Sequence, residues 1–144
     1  MQTITVDSKY FLCTQLTRSA RKIVAYYNRE LESIGLTAPQ LIALGVLISE
    51  DSLSLGQFAR RLKMGKAGAT TMVQRLEGMG LVTKEADTLD GRLCILKLTD
   101  KTRILHPKIQ KKVIDFERTI ESQMGATDLK EFVSQLSTFL ELDF

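Results

Sequence analysis

The chain has 144 residues, 44% of them hydrophobic, and a formal net charge of +3. That length makes one folding unit able to bury roughly 68–70% of its unfolded surface, and it leaves no room for a second independent domain. The longest apolar run, Leu41 to Ile48, falls far short of the roughly 20 residues a bilayer span needs, and two Cys with one His supply neither metal cluster nor disulfide framework, so a cytoplasmic protein without membrane, metal or cofactor is expected.

From about Asp7 to Ile34, Cys13, Leu16, Ala20, Ile23, Tyr27, Leu31 and Ile34 recur at helical spacing and predict one long amphipathic helix. Thr37-Ala38-Pro39-Gln40 then opens a second helix with capping-box spacing and an early Pro. Its residues up to about Ser49, with Leu41, Leu44, Val46, Leu47 and Ile48, are apolar nearly all round, which places it centrally. Ser54 and Gln57 repeat the capping-box pattern before a short helix with Phe58, Ala59 and Leu62 inward, broken at Met64-Gly65. A further helix is predicted from about Lys66 to Met79, with Ala69, Met72, Val73 and Leu76 facing inward and Gly80 as its stop.

After Gly80 the period changes to two. Leu81 to Glu85, a polar turn Ala86 to Gly91, and Arg92 to Leu98 with Cys94, Leu96 and Leu98 on one side predict a hairpin with a charged tip. Thr99 is positioned to cap a helix reaching about Met124, striped by Leu105, Ile109, Val113, Phe116 and Ile120 and expected to kink at His106-Pro107. Gly125 ends it, and Thr127 or Asp128 is expected to cap a last helix carrying Leu129, Phe132, Val133, Leu136, Phe139 and Leu140.

Two short helices joined by a tight turn and followed by a hairpin read as a winged helix-turn-helix. Lys66, Thr70, Thr71, Gln74 and Arg75 lie largely away from the inward face and suit base edges and phosphates, against the plainer reading of a solvated helix face. Charge is unevenly placed: Ser54 to Arg103 holds ten Lys and Arg against five Asp and Glu, while the rest of the chain is slightly acidic. Such asymmetry fits a polyanion-binding core on a near-neutral scaffold.

The element order and several residues resemble the MarR family of bacterial winged-helix regulators. The matching pieces are L-x-Q-x-A-x-x-L at Leu55 to Leu62, R-L-E-x-x-G-L-V at Arg75 to Val82, and D-x-R at Asp90-Gly91-Arg92 followed by Leu98-Thr99. The resemblance implies a mainly α fold with a small β-hairpin wing, in which about 7–34 and 100–142 form dimerisation helices around a winged core at about 37–99. It further implies that Asp90 braces the wing while Arg92 enters the minor groove, the alternative for both being an exposed ion pair. A two-fold homodimer would present two recognition helices to half-sites about 34 Å apart on a pseudo-palindromic duplex. The chain departs from the family at Thr71, where a basic residue is frequent, at Gly68, where Ser or Thr is, and at Thr102, which replaces a common Gly and is expected to matter little.

Cys13 is similar in position to the sensing cysteine of the peroxide-responsive OhrR-type branch, and Tyr27 to a tyrosine that bonds that thiolate across the dimer. The branch has further tyrosines where this chain has Thr17 and Ala38. A redox sensor and a core thiol both remain open for Cys13, whereas Cys94 is read as core and His106 as a surface residue. Tyr10, Phe11, Tyr26 and Tyr27 are read as core or as the lining of a cleft for the aromatic effectors the family accepts.

These readings converge on a homodimeric regulator that is not an enzyme: a repressor leaving double-stranded DNA when a small aromatic effector or an oxidant binds. The alternatives are a winged-helix protein-interaction module that does not read DNA, a Cys13-based peroxide sensor of the same class, and a thiol peroxidase, for which no resolving Cys is apparent.

Overall fold

In the computed structural model, which describes residues 11–50 and 52–144, helix α1 spans Leu12–Leu31 and passes into one 3-10 turn at Glu32–Ile34. Residues 7–10 of the predicted first helix lie outside the described residues. The α1 stripe is largely uncovered: Leu31 is the buried residue of the helix, while Ile23 and Val24 are exposed. Helix α2, Ala38–Ser49, begins where Gln40 Oε1 accepts from Thr37 N at 2.9 Å and Asn28 Oδ1 accepts from Ala38 N at 2.7 Å, which ties it to α1. Its Ala43, Leu44 and Leu47 are buried, as its apolar circumference requires.

Strand β1, Leu53–Ser54, runs directly into helix α3, Leu55–Arg61. Here the capping box is closed in both directions: Gln57 N donates to Ser54 Oγ at 3.2 Å and Ser54 N to Gln57 Oε1 at 2.8 Å. The stop of α3 differs from the sequence expectation. Lys63, with φ of 51°, takes the left-handed conformation, and Met64 N closes back on Ala59 O at 2.9 Å. Gly65 instead has an ordinary extended φ of −66° and serves as the N-cap of helix α4, Lys66–Gly78. At the far end of α4, Gly80 adopts a φ of 71°, and the bond from Leu81 N to Leu76 O at 2.9 Å reverses the chain.

Strands β2, Val82–Ala86, and β3, Cys94–Leu98, pair antiparallel with Val82 opposite Leu98 and Ala86 opposite Cys94. Strand β1 adds to the other side of β3, with Leu53 opposite Leu96, giving the order β1-β3-β2. This third strand was not predicted, because two residues carry no readable period. The core gathers Phe58, Val73, Leu76, Leu81, Val82 and Leu96 beneath the two short helices and the sheet, together with Leu44 and Leu47 of α2. Each buried side chain of this size is worth about 1.5–3 kcal/mol of transfer free energy.

Helix α5 spans Asp100–Met124 and continues through Pro107, whose missing N–H removes one bond from the ladder. Helix α6, Ala126–Leu140, follows at once: Gly125, with φ of 90°, is its N-cap, so neither Thr127 nor Asp128 plays the part expected of it. The chain divides into two compact units, one through Leu105 and one from His106 to Phe144. In the second unit Leu129, Leu136 and Phe139 of α6 are half-buried, whereas Phe132, Val133 and Leu140 are exposed. Among the described residues no single helix is long and apolar enough to cross a membrane.

Candidate nucleic-acid interface

Helix α4 sorts its residues as the 3-4-3 spacing predicts. Ala69, Met72, Val73 and Leu76 are buried; Lys66, Thr71, Gln74 and Arg75 are exposed, and Thr70 is half-buried. Residues four apart share a row on a helix, so Lys66, Thr70 and Gln74 form one row and Thr71 and Arg75 the next. The two hydroxyls are oriented by bonds to carbonyls one turn back, Thr70 Oγ1 to Lys66 O at 2.9 Å and Thr71 Oγ1 to Ala67 O at 3.1 Å, and their lone pairs remain free to accept.

The basic side chains of this region fall into two groups. Some are held by the scaffold: Arg61 makes a two-pronged contact with Glu50 at 2.6 and 3.0 Å, Lys84 meets Glu77 at 2.7 Å, and Lys97 meets Glu85 at 2.5 Å. The hydrogen bonds and charge of Glu50 raise the Arg61 pKa above the ordinary guanidinium value. In contrast, Lys66, Arg75 and Arg92 have no carboxylate partner among the described residues and are exposed. Guanidinium and ammonium groups left unpaired within a fold are available to an external anion.

The wing is braced from inside its own turn. Asp90 Oδ1 accepts from Arg92 N at 3.0 Å and Leu93 N donates to Asp90 O at 2.9 Å, so the carboxylate holds the backbone and leaves the Arg92 guanidinium free. This bears on the ion-pair alternative, since the acid engages the amide of Arg92 rather than its side chain. Asp87 does the same work one step earlier, accepting from Leu89 N at 2.9 Å through Oδ1, and it went unnoticed in the sequence. The signal was present in D-T-L-D-G, two acids spaced for consecutive Asx turns.

A set of bonds ties the end of α4 to the start of α5. Thr99 Oγ1 donates to Gly80 O at 2.6 Å and receives Thr102 N at 3.4 Å, so Thr99 caps α5 as expected. Lys101 Nζ reaches Met79 O at 2.8 Å, a cation at the negative end of a helix. Thr102 is fully buried and donates to Leu81 O at 2.5 Å. The expectation that Thr102 matters little is therefore corrected: its hydroxyl is a second donor, beside Thr99 N at 3.1 Å, to the carbonyl at the junction between α4 and the wing.

The remaining singled-out residues lie elsewhere. Cys13 is exposed in the single chain, outside that chain's own core, and Cys94 is half-buried at the start of β3. Tyr27 is half-buried, its ring edge-on to Tyr26 with centroids 5.6 Å apart, and the Arg29 guanidinium sits 5.4 Å from the Tyr26 centroid. Cys13 and Tyr27 share α1, where fourteen residues of helix place them about 21 Å apart, so the two do not meet within one chain. Phe11 is exposed, and Tyr10 lies outside the described residues. His106 is half-buried within α5 rather than on an open surface.

A short helix, a tight turn, a second helix with its polar rows outward, and a braced hairpin define a winged helix-turn-helix protein. The model of the MarR family matches residues 34–93, and the chain is 30% identical over 132 residues to the organic hydroperoxide resistance transcriptional regulator of Bacillus subtilis, covering 90% of this chain and 87% of that one. The chain belongs to the MarR family of transcriptional regulators. It is also 26% identical over 99 residues to the regulator MgrA of Staphylococcus aureus, covering 68% of this chain and 67% of the relative. Among solved structures, the repressor CouR bound to a 23-mer DNA duplex matches with a TM-score of 0.89 at 22% identity, covering 98% of this chain and 100% of CouR. The S. aureus MepR–DNA complex matches with a TM-score of 0.81 at 22% identity, over 90% and 96% of the two chains.

Proposed function

We propose that this chain is a homodimeric, sequence-specific regulator that binds double-stranded DNA and acts as a repressor released by a small-molecule effector or an oxidant. The observation that carries this reading is a pair of outward surfaces in one unit whose cations, Lys66 and Arg75 on α4 and Arg92 on the braced wing, are exposed and meet no carboxylate among the described residues. Gln74 suits adenine and Arg75 guanine or phosphate, Lys66 and the N-terminus of α4 suit a phosphate, and Asp90 orients Arg92 toward a narrow groove. The DNA-bound CouR and MepR relatives support the same reading. Exposed apolar residues on α1 and α6 support a dimer formed through the flanking helices, with the winged core between them in sequence.

Selection of bound fragments from the host genome, followed by anisotropy titration at about 150 mM salt, tests the reading. A pseudo-palindromic site bound at least about a thousandfold more tightly than random duplex is the expected result, and equal affinity for both defeats it. Arg75→Ala is expected to cost about 1–3 kcal/mol if it reads a base, while loss of a phosphate contact lowers the salt slope by about one. If Arg75→Ala and Arg92→Ala both leave the biological effect intact, the protein-interaction reading replaces this one.

An oxidant is the favoured releasing signal, because Cys13 is exposed and the relative at 30% identity is an organic hydroperoxide resistance regulator. In this reading Tyr27 of one protomer faces Cys13 of its partner. Oxidation of the Cys13 thiolate to sulfenic acid consumes one hydroperoxide, which is reduced to the alcohol, and changes the spacing of the recognition helices. Dilute cumene hydroperoxide is expected to release wild-type protein from its operator and to leave Cys13→Ser bound. Release of both proteins alike points to a small-molecule effector instead.

A further inference from the structure

The wing tip carries an apolar side chain to which DNA binding through Arg92 gives no task. Leu89 is 96% exposed, and Leu93 is 45% exposed. Both belong to a turn held in one shape by Asp87, by Asp90 and by the bond from Asp87 N to Leu93 O at 3.0 Å. A leucine held in water on a braced turn contributes nothing to folding by burial. Single exposed apolar residues are common, and position is what separates this one: it lies three residues from Arg92, which is exposed and meets no carboxylate among the described residues, on the same closed tip.

We propose that Leu89 is a specificity-determining residue, an apolar tip that enters the DNA minor groove beside Arg92 and presses on the sugar walls and a base step there. The proposal rests on the DNA-binding reading above and adds a contact of a different physical kind. Arg92 is attracted to any narrow, strongly negative groove. Leu89 is favoured where a base step unstacks at low cost, which singles out pyrimidine–purine steps such as TA and CA. The regulator thereby selects bases flanking its half-sites at positions where no hydrogen bond reads them. The two acids beside Leu89 keep their charge near the phosphates, but each turns an oxygen to a backbone amide and so holds the tip in the shape that presents Leu89.

The test is anisotropy titration of full-length wild type, Leu89→Ala, Leu89→Asn, Leu89→Met and Arg92→Ala on a selected operator across a salt series, with the flanking TA step intact or replaced by GG. Leu89→Ala and Leu89→Asn are expected to weaken binding by about ten- to a hundredfold with an unchanged salt slope, and Leu89→Met to bind like wild type. The penalty for replacing TA should shrink in Leu89→Ala, whereas Arg92→Ala should lower the salt slope by about one. Wild-type affinity and flank preference in Leu89→Ala and Leu89→Asn overturn the proposal. A drop in their salt slope matching that of Arg92→Ala also overturns it, since the substitution would then act by displacing the guanidinium. Failure of the wild type to prefer any genomic fragment over random duplex defeats the DNA reading itself, and that outcome is read without the variants.

Discussion

Thr102 illustrates how one hydroxyl bears on both stability and site geometry. It is fully buried, and its Oγ1 lies 2.5 Å from Leu81 O, where the chain leaves α4 for the wing. Thr102→Ala is expected to destabilise the protein by about 0.5–1.5 kcal/mol, because it withdraws one of two donors from Leu81 O and leaves Thr99 N at 3.1 Å, and a shifted urea midpoint at constant slope would record it. Asp90 offers a second test at this scale, one in which two simple arguments disagree in sign. Removing an acid near a polyanion should strengthen binding, whereas removing the brace of the Arg92 amide should weaken it. Since the carboxylate holds the tip at 3.0 Å, Asp90→Ala is expected to weaken DNA binding and to speed hydrogen exchange at the amides of Arg92 and Leu93.

At the scale of elements, capping decides where helices start and stop. Ser54→Ala removes the acceptor of Gln57 N and is expected to cost about 1 kcal/mol in chemical denaturation. Gly80→Ala forces a side chain into the left-handed region at φ of 71° and is expected to cost about 1–2 kcal/mol, although the nearest neighbour of the added carbon, Lys101 Cδ, is 3.8 Å away. On α5, the hydrogen bond from Lys111 holds the Asp115 carboxyl below the usual carboxylate range, against desolvation and with the help of the charges of Lys111, Arg118 and Lys112. A depressed folded pKa stabilises above the unfolded value and ceases to do so as pH falls through the folded one. The small stability difference between wild type and Asp115→Asn is therefore expected at neutral pH and should vanish under acid, as parallel melts at the two pH values would show.

For the whole molecule, uncovered apolar surface is the main physical question. Leu140 of α6 is 68% exposed in the single chain, so Leu140→Glu should cost a monomer almost nothing. If α6 contributes to a dimer interface, the same substitution buries a charge there and is expected to halve the mass seen in sedimentation. An unchanged dimer mass would place the interface elsewhere. A dimer also predicts that the wild-type melting temperature rises with protein concentration.

Much of this architecture was legible in the residues alone, and for a definable reason. Periodicity and caps are local, so the helix of Leu41 to Leu47, the Ser54–Gln57 box, the inward face of α4 and the two strands of the wing could be read from neighbours in the chain. The acid–amide bond of Asp90 lies within three residues, inside the D-x-R stretch for which the MarR resemblance implies a brace. What local pattern could not supply was pairing across distance. Strand β1 exists only because β3 lies beside it; Thr102 matters only because Leu81 O arrives from the far side of the wing; and the chain turns out of α3 at Lys63, whose left-handed φ of 51° accompanies the bond from Met64 N to Ala59 O, and not at the glycine. The same holds for charge: composition located an excess of cations, but only the fold decided that Arg61, Lys84 and Lys97 meet carboxylates while Lys66, Arg75 and Arg92 meet none among the described residues.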